Sequence, residues 1–240
     1  HVNPRWQTDD VEPRGLTGTT PERVEFQRAG EGHPLDDVIV HARDKLCAPA
    51  TLEVQVKRTM TFTASDSEFK DVVAQIAKAG QRSDFWTSRY ELAIATARHS
   101  AKLDGAYQDV LGVARQTAAK VCAGRLVRPH AFNADMRQFV ATFRRNLEVA
   151  GTVVDDISIW PWLARIQIHV YDFTAEASTA AILAREQCLR ALADEHGSDA
   201  GRLWTALVDI AQAGAVHGGD RTREQLVAEL REQGFQLRGE

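Results

Sequence analysis

Cysteine is scarce: Cys47, Cys122 and Cys188 are the only three in 240 residues. They are odd in number and far apart, and no two have metal-ligand spacing. That speaks against a disulfide framework and points to a reducing, cytoplasmic setting. Long apolar runs are missing too. No stretch approaches the roughly 18 consecutive apolar residues that a membrane helix needs. The opening His-Val-Asn-Pro-Arg-Trp is polar and lacks the apolar core of a secretory signal. There is no G-x-x-x-x-G-K-[ST] loop for nucleotide phosphates, no H-E-x-x-H for zinc and no G-x-S-x-G nucleophile elbow. Internal repeats, low-complexity tracts and heptad seams are likewise absent from the sequence.

Charge is unevenly spread. The formal net charge is -4, which argues against a wholly basic nucleic-acid binder. Residues 57–145 nevertheless hold 15 Lys/Arg against 8 Asp/Glu, a local net of +7. Local positive potential attracts phosphates whatever the total. Solvated helix faces would give the same composition, so both readings stand at this point.

Periodicity divides the chain. Residues 1–22 read as loop. Arg23–Gln27, Val38–His41 and Leu52–Met60 alternate or cluster as short strands, which suggests an antiparallel meander. Phe69, Val72, Val73, Ile76 and Ala77 then follow helical spacing, with Asp66 or Ser67 as cap and Gly80 as stop. Glu91–Thr96 reads as a buried strand. Two helices follow, one carrying Tyr107, Val110, Leu111, Ala114, Ala118 and Val121, the other capped by Asn133 and carrying Met136, Phe139, Val140, Phe143 and Leu147. Trp160-Pro-Trp162 reads as a rigid aromatic turn. Ala164–Tyr171 alternates as a strand with one wet face, His169 on it. From Ala175 onward the pattern is helical, about 176–194, 200–213 and 222–233, with Gly218-Gly219 as a turn and Thr222/Gln225 at capping-box spacing. The expectation is an α/β or α+β core over 1–174 with a helical C-terminal extension over 175–240.

One strand carries the chemistry. In Thr51-Leu-Glu-Val-Gln-Val-Lys-Arg58 the residues Glu53, Gln55 and Lys57 are spaced two apart and share a strand face, with Leu52, Val54 and Val56 on the other. Asp36 and Asp37 stand at the mouth of the preceding strand, and Asp37 adjoins its apolar run. Phosphodiester hydrolysis needs an activated water and charge neutralisation at phosphorus. Carboxylates that hold Mg²⁺ supply much of this, and a lysine orients water or stabilises developing negative charge. Asp37 and Glu53 are the candidate metal ligands, Lys57 the candidate water-activating group and Gln55 a supporting amide. A solvated sheet face would show the same alternation.

Asp37, a gap, then Glu53-Val-Gln-Val-Lys57 and an amphipathic helix resemble the PD-(D/E)xK restriction-endonuclease-like superfamily. More closely, they are similar to the double-stranded-DNA endonuclease domain of bacterial antiphage effectors, found in cyclic-oligonucleotide-activated systems and at the N-termini of some STAND-type NTPases. The resemblance is firmest over 23–80, looser over 90–174, and a likeness of pattern alone in the C-terminal helices. It implies a mixed sheet flanked by helices and Mg²⁺-dependent (or Mn²⁺-dependent) cleavage of double-stranded DNA. It also implies a homo-oligomer and a sensor or NTPase domain in the same longer polypeptide. Asp37 matches the aspartate of the motif and Lys57 its lysine. Gln55 stands where most members have an acid, and Glu53 would then supply the second carboxylate. Arg58, Arg125, Arg128, Arg137, Arg144 and Arg145 are the candidate DNA-backbone contacts. The alternative from another class is a catalytically inactive nucleic-acid-binding or oligomerising scaffold.

Overall fold

A computed structural model describes residues 15–97, 99–122, 132–173 and 178–238. Its first three strands form the meander that the alternation predicts: β1 (Thr19–Phe26), β2 (Val38–Asp44) and β3 (Pro49–Val56), each antiparallel to the next. The β2–β3 turn closes because the Asp44 carboxylate accepts from the backbone N–H of Leu46 and Ala48, at 2.8 and 2.9 Å. An aspartate holding its own turn in this way is a common device of tight connections.

Helix α1 (Ser67–Ala79) starts where Asp66 accepts from the Phe69 N–H at 3.2 Å and ends at Gly80. Gly80 is required because the Trp162 ring lies where a Cβ would stand. After α1 the chain enters β4 (Arg89–Thr96), parallel to β3. One π turn (Leu103–Tyr107) leads into α2 (Gln108–Cys122), and α3 (Ala134–Val149) begins on the predicted Asn133 cap. Trp160 and Trp162, expected in a turn, lie in a short helix α4 (Ile159–Ala164) and are buried. Proline is accommodated there because the first turn of a helix needs no donor from it.

Strand β5 (Ile166–Val170) pairs parallel to β4 and forms one edge of the sheet. His169, expected on a wet face, is 7% exposed. Two α2 side chains cover that edge: Gln108 donates to the Ile168 carbonyl and Arg115 to the Ile166 carbonyl, at 2.9 and 3.1 Å. Satisfying edge carbonyls from a helix removes a template for unwanted strand pairing.

The C-terminal part forms α5 (Thr179–Ala191), α6 (Ala200–His217) and α7 (Arg223–Glu232), the last with the predicted Thr222–Gln225 capping box. It also returns a strand that periodicity did not reveal, β6 (Gly219–Thr222), which pairs antiparallel with β1. Four residues containing Gly219 and Asp220 carry no alternating signal, and only the waiting edge of β1 makes them a strand. The full order is β5-β4-β3-β2-β1-β6. This is a mixed α/β sheet flanked by helices.

One face of the sheet carries the main core, in which Leu92, Ile94, Ile166 and Ile168 meet residues of α1 to α4. On the opposite face Leu16, Ala42, Ala50, Leu52 and Ala93 form a smaller cluster. The C-terminal helices have their own cluster around Leu192, Leu203, Leu230 and Phe235. Gly214 of α6 packs directly on the Phe26 ring, where a Cβ would come within 2.5 Å of a ring carbon. Gly214→Ala is therefore expected to destabilise the fold by about 1–3 kcal/mol through overpacking. Urea denaturation of the two proteins measures it, and an unchanged midpoint would mean that α6 and β1 separate freely.

Candidate functional site

Strand register decides which polar residues meet. Residues opposite one another in an antiparallel pair point to the same face. Glu25 pairs with Ile39, Ile39 with Glu53, and Glu53 with Leu92. Arg23 pairs with His41, His41 with Thr51, and Thr51 with Tyr90. Glu25, His41, Glu53, Gln55 and Tyr90 therefore share a face with Leu92 and Ile94, the helix-covered one. The polar face of β3 is its inner face: Glu53 is 0% and Gln55 4% exposed. Val56, assigned by alternation to the apolar side, is 52% exposed at the strand end.

Asp37 and Gln55 are brought together. The Asp37 carboxylate accepts from the Gln55 side-chain amide at 2.5 Å, from the Val56 backbone N–H at 2.7 Å and from the Gln27 amide at 3.2 Å. Gln27, the residue after β1, has a left-handed backbone, φ 55°, a conformation that costs a non-glycine residue roughly 1 kcal/mol or more. The other Gln55 atom, Oε1, is buried and has no hydrogen-bond partner. A buried amide oxygen without a partner is costly, and here it belongs to a side chain already touching a carboxylate. Lys57 lies just past the end of β3, partly exposed, its N–H bonded to the Ala95 carbonyl at 2.8 Å. This group sits at the carboxyl ends of the parallel strands β3 and β4, the side of an open α/β sheet where ligands bind.

Glu53 has a different environment. Its Oε1 meets His33 Nδ1 at 2.7 Å and accepts from the Tyr90 hydroxyl, and its Oε2 accepts from the Leu35 N–H at 3.1 Å. Both oxygens are engaged and neither reaches solvent. Burial, and then the Glu53 charge, push the Tyr90 hydroxyl well above the usual tyrosine range. The cluster continues outward: Glu25, 3% exposed, lies within ion-pair distance of Arg23, Arg28 and His41.

Of the expected DNA contacts, Arg58, Arg137 and Arg145 are exposed. Arg144 is engaged by Asp156 at 2.6 Å. Arg137 donates to the Phe132 carbonyl. Arg125 and Arg128 lie outside the described residues. His33, Tyr90 and Gln27 were not singled out in the sequence. His33 sits in a turn and Tyr90 in an apolar strand, and only folding reveals that both face Glu53.

No family model, no curated protein and no solved structure matches the chain.

The Tyr90–Glu53 contact carries a pH dependence. A hydroxyl whose folded-state pKa is raised contributes stability that is complete below the unfolded value, 10.0. That contribution is lost as pH rises, because the unfolded chain releases a proton that the folded chain retains. The urea midpoint is expected to fall as pH rises above about 10. Tyr90→Phe should lose roughly 1–3 kcal/mol at neutral pH and show a flatter alkaline fall. Parallel titrations of both proteins provide the check.

Proposed function

We propose that this chain is a metal-dependent endonuclease domain that hydrolyses DNA phosphodiester bonds. The observation that carries the reading is the junction of Asp37 and Gln55 at the carboxyl ends of β3 and β4, with Lys57 following two residues on in the chain. Mg²⁺ takes oxygen ligands and keeps several of its waters. The Asp37 carboxylate and the unpartnered Gln55 Oε1 are oxygen donors of that kind, and turning the amide about its last torsion presents Oε1 where Nε2 now lies. Mn²⁺ would be accepted by the same donors. Gln55 thus takes the ligand role that alternation had suggested for Glu53, whose oxygens are bound to His33, Leu35 and Tyr90.

When bound, the metal would supply charge neutralisation at phosphorus and a more acidic water. Asp37 would hold it, supported by Val56 N–H and Gln27. Lys57 would stabilise the growing negative charge or orient the attacking water. Arg58, next in sequence and exposed, with Arg137 and Arg145, would offer charge to the DNA backbone without reading its sequence. With the resemblance to antiphage effectors, the chain is read as an effector module, homo-oligomeric when active because two sites are needed to cut both strands. A sensor or NTPase domain in the same polypeptide would drive that assembly.

One observation favours a second reading, an inactive DNA-binding or oligomerising scaffold: with Glu53 enclosed, Asp37 is, among the described residues, the one carboxylate that Gln55 is shown to meet. Plasmid cleavage separates the two. With Mg²⁺ and forced oligomerisation, the chain should nick and linearise supercoiled plasmid. Asp37→Ala and Lys57→Ala should each lower the rate by about 10²-fold or more. Gln55→Glu, which restores an acid, should retain or raise it. Equal cleavage by Lys57→Ala would remove the site assignment, and DNA retention without cleavage in every form would establish the scaffold.

A further inference from the structure

We propose that Glu25, His33 and His41 form a binding site for a divalent transition-metal ion of the zinc class, separate from the Asp37 junction and independent of the nuclease reading. One ligand atom from each of the three side chains lies within 4.8 Å of the other two. Glu25 is on β1, His41 is near the middle of β2, and His33 comes from the loop that joins these strands. The ligands of a tetrahedral zinc ion stand roughly 3–3.5 Å apart, given bond lengths of about 2.0–2.2 Å. Glu25 Oε1 and His41 Nε2 are already 2.9 Å apart.

Three features distinguish this cluster from a chance meeting of polar residues. The first is the state of His41. Its Nε2 is buried and makes no hydrogen bond of acceptable geometry, despite its nearness to the Glu25 oxygen.

The second is His33. Its Nδ1 is engaged by the fully buried Glu53 carboxylate at 2.7 Å. That leaves Nε2 as the atom the ring can offer. A histidine that gives Nδ1–H to a carboxylate and Nε2 to a metal is the usual arrangement of zinc-binding histidines, because the carboxylate fixes the tautomer and raises ligand basicity. Glu53 is itself fixed by the Leu35 N–H and the Tyr90 hydroxyl. The third is the donor set. Two imidazoles and one carboxylate suit zinc, with the fourth position open to water. They suit magnesium poorly, since it prefers oxygen donors. The competitors are Arg23 and Arg28, whose guanidinium nitrogens lie 2.5 and 3.4 Å from Glu25 oxygens. A metal ion must displace them from the Glu25 carboxylate, whose charge they otherwise neutralise.

The site would tie the Gln27–Asp37 connection to the sheet. His33 stands four residues before Asp37, so a bound ion would hold the segment that presents Asp37 to Gln55.

The test uses the whole chain after removal of metal by a chelator. Zn²⁺ is titrated calorimetrically and Co²⁺ is followed by its visible absorption. One equivalent of each is expected to bind, with a tetrahedral Co²⁺ spectrum that excess Mg²⁺ does not abolish. Glu25→Gln and His41→Gln should each weaken binding by about tenfold or more, and Glu53→Gln by about 10–100-fold through His33. Asp37→Ala should leave Zn²⁺ binding unchanged, and so distinguishes this site from the proposed nuclease centre. Failure of the unmodified chain to take up one equivalent overturns the proposal without recourse to variants. Equal binding by Glu25→Gln and His41→Gln, or loss of binding in a folded Asp37→Ala, also overturns it.

Discussion

A carboxylate with no access to water must find its partners inside the protein, and Glu53 finds three. His33 comes from the β1–β2 connection, Leu35 from the same loop two residues on, and Tyr90 from the adjacent strand. An uncompensated buried charge costs several kcal/mol, so these partners are obligatory. Their arrangement fixes the loop against the inner face of the sheet. It also sets the path by which the chain reaches Asp37. The candidate chemistry at the strand ends and the histidine cluster deeper in the face both depend on this one satisfied carboxylate.

The same face grades from closed to open along the strands. At Tyr90 and Glu53 it is sealed by the loop and by Arg82, which stacks over the Tyr90 ring and donates to the Gly32 carbonyl. At Gln55 it is still buried, but one amide oxygen has no partner. Past the end of β3 the chain opens to solvent, with Lys57 partly exposed and Arg58 exposed. Rigid, fully paired groups behind a partly satisfied, accessible edge are what a preorganised site requires, since the inner groups hold the outer ones in place.

Much of the fold was legible in the sequence because its elements are strongly periodic. The α1 stripe of Phe69, Val72, Val73, Ile76 and Ala77 and the α3 stripe of Met136, Phe139, Val140, Phe143 and Leu147 are buried as the spacing predicts. The Asp66, Asn133 and Thr222 caps also stand where expected, because capping is local chemistry between residues three apart. Strand β6 was not legible, since its pairing with β1 joins segments almost two hundred residues apart. Which side of β3 is buried was not legible for a related reason. Alternation shows that Glu53, Gln55 and Lys57 share a face but not which face the helices cover, and a buried acid looks like a solvated one until its partners are known.

By itself, then, the sequence determined the local facts: helix stripes, caps, the three-strand meander, and a shared face for Glu53, Gln55 and Lys57. These follow from spacing of a few residues, and the physics that enforces them acts over the same range. Tertiary structure alone decided that Asp37 meets Gln55 rather than Glu53, that Glu53 is enclosed with His33 and Tyr90, and that Glu25, His33 and His41 converge. Each of those contacts depends on strand register and on the burial of one particular face, and both are settled only when the whole core packs.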